Sequence, residues 1–279
     1  MMVLAIARFT FREAVRKKVL LGAVVLSVGF LVLFALGDQF AYQDFTSHPT
    51  PTSVTYRPIV GNAMGLAGLY VVNFLAGLLA IFTAVGTISS EVDSGTLHAI
   101  LPKPISRWEV VLGKWLGFAV MLCIYLSAMA VGVMLSVYAT WNVVPPQPAA
   151  GIALMCLSTL LLLSLTVLGS TIMPTVANGI VIFLLYGVGL MGGFVEQIGS
   201  LVENQTMVNI GIITSLVIPS DVLWKMASSV LQPTEMLARS VMTPFFGGSP
   251  PSTAMIVYAL VYTAAAVVAA TVLFRRRDL

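Results

Sequence analysis

Six apolar runs, each near or beyond the length needed to cross a bilayer, constrain this chain more than any other feature. They occupy residues 19–37, 59–88, 110–138, 150–173, 176–194 and 254–274. A hydrocarbon core takes roughly 20 helical residues to cross. Lipid offers the backbone no hydrogen bonds, so spans of this length form helices. The expected fold class is all-α integral membrane, with six transmembrane helices. Composition agrees: 58% of residues are hydrophobic and 9% charged, against roughly 25% charged in soluble domains. No internal repeat or long polar linker divides the chain, so residues 1–279 are read as a single transmembrane domain. The first run is longer than the about 7–15 residues of a signal-peptide core and is read as an uncleaved span. The second and third exceed the crossing length, and so tilt or project from the bilayer.

The basic residues orient these spans. Arg8, Arg12, Arg16, Lys17 and Lys18 precede the first. Lys103, Arg107 and Lys114 lie between the second and third, or just inside the third. Arg275, Arg276 and Arg277 follow the sixth. Eleven of the 14 Lys and Arg thus fall on one side, leaving Arg57, Lys225 and Arg239 on the other. The positive-inside rule places both termini and the 89–109 loop in the cytoplasm. Residues 1–18 put Leu4, Ala7, Phe11, Ala14 and Val15 on one helical face, with Arg8, Arg12 and Arg16 flanking it. That pattern predicts an elbow helix in the membrane interface; the alternative is a positive tag without fixed structure. The Thr-, Ser- and Pro-rich stretch 38–58 is expected to be an irregular outer loop. Residues 195–253 form an outer region. Its short apolar run 206–220 is read as interfacial or re-entrant, and Ser220–Leu231 as helical.

The spans exclude several chemistries. They contain no Asp or Glu; their one charge, Lys114, sits about a turn inside the third span, where it can snorkel to the surface. His48 and His98 both lie in loops. Proton relays and intramembrane aspartyl or Ser–His hydrolysis are therefore poorly supported. No phosphate-binding loop G-x-x-x-x-G-K-[ST] occurs. Cys123 and Cys156 sit in apolar runs without a CxxC and are read as packing bystanders. The methionines are read as adaptable packing residues, since no tight cluster suggests a copper path. Asn204–Gln205–Thr206 matches a glycosylation acceptor, which has no meaning in a bacterial protein. Glycines at four-residue spacing, Gly61 with Gly65, Gly113 with Gly117 and Gly189 with Gly193, allow close helix approach. Such pairs serve packing inside one subunit, a dimer seam, or both.

One polar stretch stands apart: SSEVDSGTLHAILPKPISRWEVVLGKW, residues 89–115. Ser90, Glu91 and Asp93 suit a helix start. Leu97, Ile100 and Leu101 share one side, and Pro102 and Pro104 stop the helix. Ser106 and Glu109 then form an S-x-x-E capping box that launches the third span. Arg107 and Trp108 fit interface anchors. An amphipathic helix of this kind docks in a partner's groove or lies on the lipid surface.

The stretch resembles the coupling region of permeases of the type-2 ATP-binding cassette (ABC) exporter family. Glu91, Gly95, Thr96, Leu97, Pro104, Ile105, Ser106, Arg107 and Lys114 match that family's pattern. Within the family, the stretch 218–224 is similar to the subgroup that includes the permease for nitrous-oxide-reductase maturation. The resemblance implies two permease copies, as a homodimer, with two separate ATPase subunits in a prokaryotic cytoplasmic membrane. ATP would be bound by the partner, and the permease would be no enzyme, carry no cofactor and bind no nucleic acid. Glu91, Asp93, Ser94, Gly95, Thr96, Leu97, Ile100 and Leu101, with Arg107, would meet the ATPase. The second and fifth spans, which carry Gly61, Gly65, Gly189 and Gly193, would line the gap between permeases. The spans' lack of charge suits a lipid-like, peptide or amphipathic cargo. The competing reading is a membrane scaffold that docks a partner without transport.

Overall fold

The computed structural model describes residues 2–16, 18–47, 53–90, 106–233 and 252–276. Among them are nine helices and no strand: α1 Met2–Arg16, α2 Lys18–Ser47, α3 Ser53–Ala84, α4 Arg107–Trp141, α5 Pro148–Ile172, α6 Thr175–Leu201, α7 Gln205–Val217, α8 Ser220–Leu231 and α9 Ala254–Arg276. Six of these, α2 to α6 and α9, are long and apolar enough to cross a membrane. Helices α7 and α8 meet at a 104° bend. The bundle has two ends. At one, the C-termini of α3, α5 and α9 meet the N-termini of α4 and α6; this is called the loop end. At the other, α7 and α8 pack on α5 and α6.

The core between these ends falls into two main apolar clusters, with Tyr125 packed against both. Near the loop end it contains Leu79, Ile81, Phe118, Leu122, Leu162 and Tyr186. Toward the opposite end it contains Leu69, Val72, Leu126, Met155, Trp224 and Leu231. Helices α3 and α5 are the most covered spans and α2 the least. Without a hydrophobic drive between spans in lipid, contact depends on close approach and hydrogen bonds. Both are present where α2 meets α4: Tyr125 and Ser27 share a hydrogen bond of 2.5 Å, and Gly132 takes the Leu31 side chain.

The stretch 38–58 differs from expectation. Its described residues are helical rather than irregular: α2 continues to Ser47 and α3 begins at Ser53. Polar residues here serve the helix. Thr46 and Ser47 donate to backbone carbonyls of Tyr42 and Asp44, and Asp38 is buried, accepting from Trp141 Nε1 at 2.7 Å and Thr140 Oγ1 at 2.5 Å. Trp141 also packs edge-on against Tyr42 and Phe45. The two cysteines lie on α4 and α5 as free thiols.

Helix α1 forms and lies along α4, with the expected face rotated: Ala7, Phe11 and Ala14 turn toward the bundle, but Leu4 and Val15 do not. Thr10 and Ala14 are buried, while Leu4, Phe9 and Val15 face outward. The reason is the Gly113/Gly117 pair: a Cβ on Gly113 would lie 2.7 Å from Ile6 Cβ, and one on Gly117 2.7 Å from the Ala7 carbonyl oxygen. Backbone here sits against backbone. Gly117→Val is expected to push α1 off α4, at a cost of about 1–3 kcal/mol for overpacking. In a chain with Cys123 and Cys156 replaced by alanine, maleimide labelling of a Thr10→Cys probe should rise sharply; unchanged labelling would show that α1 is held elsewhere.

Candidate functional site

The loop end gathers the polar contacts that the sequence pointed toward. Helix α3 ends at Ala84, and residues 85–88 break it before helical backbone resumes at Ser89. Glycine and β-branched residues favour such a break, and Val85, Gly86 and Thr87 supply them. Thr87 N–H shifts to the Ala84 carbonyl, three residues back, at 3.1 Å. The carbonyls of the break are then captured by side chains from other spans. Asn178 Nδ2, on α6, donates to Val85 O at 2.9 Å and to Thr166 O of α5 at 3.0 Å. Lys114 Nζ, on α4, donates to Thr87 O at 2.8 Å.

Lys114 therefore does not snorkel. It is 8% exposed and turned inward, because its bond to the Thr87 carbonyl offsets its desolvation. Asn178 is fully buried and fits only because Gly169 faces it: a Cβ there would overlap the Asn178 amide oxygen. The α5–α6 turn at Met173–Pro174 is equally close. Ser89 Oγ and Thr175 Oγ1 share a hydrogen bond of 2.8 Å, and a Cβ on Gly86 would sit 3.1 Å from Thr175 Cγ2.

The chain re-enters at Ser106 as the capping motif predicts. The Glu109 carboxylate accepts from the Ser106 backbone N–H at 3.1 Å and from its hydroxyl at 2.6 Å. Arg107 reaches the last turn of α9, donating to the Phe274 and Arg275 carbonyls at 3.4 Å each. Those are the orphan acceptors of a helix C-terminus, where a cation is favoured. Ser90, expected to cap the following helix, instead donates its hydroxyl back to the Gly86 carbonyl. Glu91, Asp93, Ser94, Gly95, Thr96, Leu97, Ile100 and Leu101 lie outside the described residues, as does Pro104. Both ends of the segment that holds them are thus pinned to α3, α4, α5, α6 and α9.

The four singled-out glycines all face helices or turns of their own chain. Gly61 and Gly65 receive Trp141 and Val137 of α4, and Gly189 and Gly193 receive Ile218 and Asp221 at the α7–α8 corner. That corner holds a second polar group. Lys225 Nζ lies 2.9 Å from both Asp221 Oδ2, one turn back on α8, and Glu196 Oε2 of α6. Burial pushes the Asp221 carboxyl above its usual range, against the pull of Lys225. Burial alone would lower the Lys225 ammonium, but the two carboxylates outweigh it and hold it above its usual value.

Sequence reasoning located the 89–109 loop and its cap but missed Asn178, Thr175 and the Asp221–Lys225–Glu196 group. A lone amide inside an apolar run was the available signal for Asn178, since intramembrane polar groups rarely go unpartnered. An i, i+4 Asp–Lys pair was the signal for the second. A search of curated proteins returns no match. A family model described as ABC-2 family transporter protein matches residues 4–279, and the chain belongs to that family.

Proposed function

We propose that this multi-pass membrane protein is the permease subunit of a type-2 ABC exporter, driven through its 91–105 segment by a separate ATPase. The observation that carries this reading is the convergence of five spans on the two ends of that segment. A push on the segment meets α3 and α6 through Ser89 and Thr175, α4 through Lys114, and α9 through Arg107. Glu91, Asp93, Ser94, Gly95, Thr96, Leu97, Ile100 and Leu101 are assigned to the ATPase contact by the family pattern. Arg107, bonded to α9, is assigned instead to relaying that contact.

The eleven basic residues on one side support a cytoplasmic loop end and cytoplasmic termini, with α1 at the interface and its outward Leu4, Phe9 and Val15 in lipid. The assembly we favour has two permease copies and two ATPase copies in a prokaryotic cytoplasmic membrane, with ATP held by the ATPase alone. The outward stripe Val176, Ile180, Phe183, Leu184 and Met191 of α6 is the face for the second copy. Within the family, assignment to the nitrous-oxide-reductase maturation subgroup rests on the sequence of the 218–224 stretch alone. Co-expression with the cognate ATPase should give a stable complex whose ATP turnover depends on the permease. Gly95→Pro or Glu91→Lys is expected to abolish association or turnover at normal expression. Full activity in both variants would sink the coupling role.

A further inference from the structure

We propose that residues 85–88 are a hinge between the second span and the cytoplasmic segment, and that Asn178 and Lys114 are its positioning residues. This deepens the permease reading and rests on it. Three independent features single the break out. Helical bonding lapses over residues 85–88 and resumes at Ser89, so the backbone there lacks the stiffness of a continuous helix. The Val85 and Thr87 carbonyls each accept from a side chain of another span. Those bonds can rotate about a fixed anchor where a backbone ladder cannot. Finally, Asn178 Oδ1 and Thr87 Oγ1 are buried beside the break and make no hydrogen bond.

Buried polar atoms are rarely left without partners, and each exception calls for an explanation. Here the Thr87 hydroxyl can donate, and the Asn178 amide oxygen, which faces Gly169 of α5, can accept. A shift of the Val85–Thr87 turn that gives the Thr87 hydroxyl an acceptor would be a second hydrogen-bonded state, which a two-position element requires. Gly86 at the centre supplies backbone freedom and lets Thr175 approach.

The 2.8 Å Ser89–Thr175 contact provides the test. A Ser89→Cys/Thr175→Cys pair, with Cys123 and Cys156 replaced by alanine, is assembled with the ATPase and oxidised with copper–phenanthroline. A disulfide of about 2 Å then locks the loop base to α6. Crosslinking rates are expected to differ about tenfold between the nucleotide-free complex and one held by a non-hydrolysable ATP analogue, within the usual range of coupling effects. The locked complex should keep its ATPase but lose permease-dependent turnover, and dithiothreitol should restore it. Asn178→Leu and Lys114→Met should erase the nucleotide dependence of crosslinking, and Lys114→Arg should retain it. Equal rates in both nucleotide states, or full turnover in the locked complex, would overturn the hinge. Failure of the unmodified chain to bind any ATPase would instead overturn the permease reading.

Discussion

Replacing Lys225 with methionine is expected to destabilise the protein by about 3–5 kcal/mol, the usual result of removing one partner from a buried charge pair. The lysine stands between two carboxylates on different helices, 2.9 Å from each. Without it, Asp221 of α8 and Glu196 of α6 face each other with no cation between them. Gly193 brings the α6 backbone hard against Asp221, so the carboxylate has no room to turn away. The loss should depend on pH. Burial already raises the Asp221 carboxyl, and losing the Lys225 pull raises it further. A carboxyl raised in the folded state favours the protonated form. Its penalty is therefore absent at pH values below the unfolded carboxylate range, and grows as pH rises through the folded value. Melting curves of the solubilised protein from about pH 5 to pH 8 should show the variant closing on the parent at the acid end. A gap that stays constant with pH would show that the lysine acts through packing of its stem. Adding Asp221→Asn should recover most of the loss at neutral pH, because it removes the stranded charge.

What the sequence revealed and what it hid follow one physical division. Hydropathy reports transfer of side chains into lipid, so all six spans could be read from it. Capping is local chemistry, so Ser106 and Glu109 could be read from four adjacent residues. The extension of α2 beyond residue 37 could not. Asp38, Thr46 and Ser47 look like loop residues until Trp141, 103 positions away, supplies a donor to the Asp38 carboxylate. Lys114 shows the same limit: its depth in the span was legible, but its partner Thr87 lies 27 positions earlier and across a helix break. Glycine pairs signalled close approach without saying to what. The structure assigns Gly117 to α1, Gly61 to Trp141 and Gly193 to Asp221. Residues 91–105, which carry most of the family resemblance, are legible only through the sequence, whereas the flanking Ser89, Ser106 and Arg107 are placed by their hydrogen bonds.

Gly169→Ala tests how tightly the loop base is built. One methyl group would overlap the Asn178 amide oxygen and lie 2.9 Å from its Cγ. Asn178 is fully buried, so its side chain cannot swing into open space; it must give up its place between α3, α5 and α6. Both donated bonds, to Val85 O and Thr166 O, are then lost. Two bonds at about 0.5–1.5 kcal/mol each, with a stranded amide at about 1–3 kcal/mol, give an expected loss of about 3 kcal/mol. Gly187→Ala is the control. A Cβ there meets nothing within 4 Å, and the higher helix propensity of alanine should leave stability unchanged or slightly raised. The decisive measurement is the cycle with Asn178→Ala. If the methyl acts by displacing the amide, Gly169→Ala should cost almost nothing once the amide is gone, a non-additivity of about 1–3 kcal/mol. Additive losses would mean that the α5 backbone at Gly169, rather than Asn178, sets the spacing at the loop end. The bonds from α6 to Val85 would then be a consequence of helix packing and not its cause.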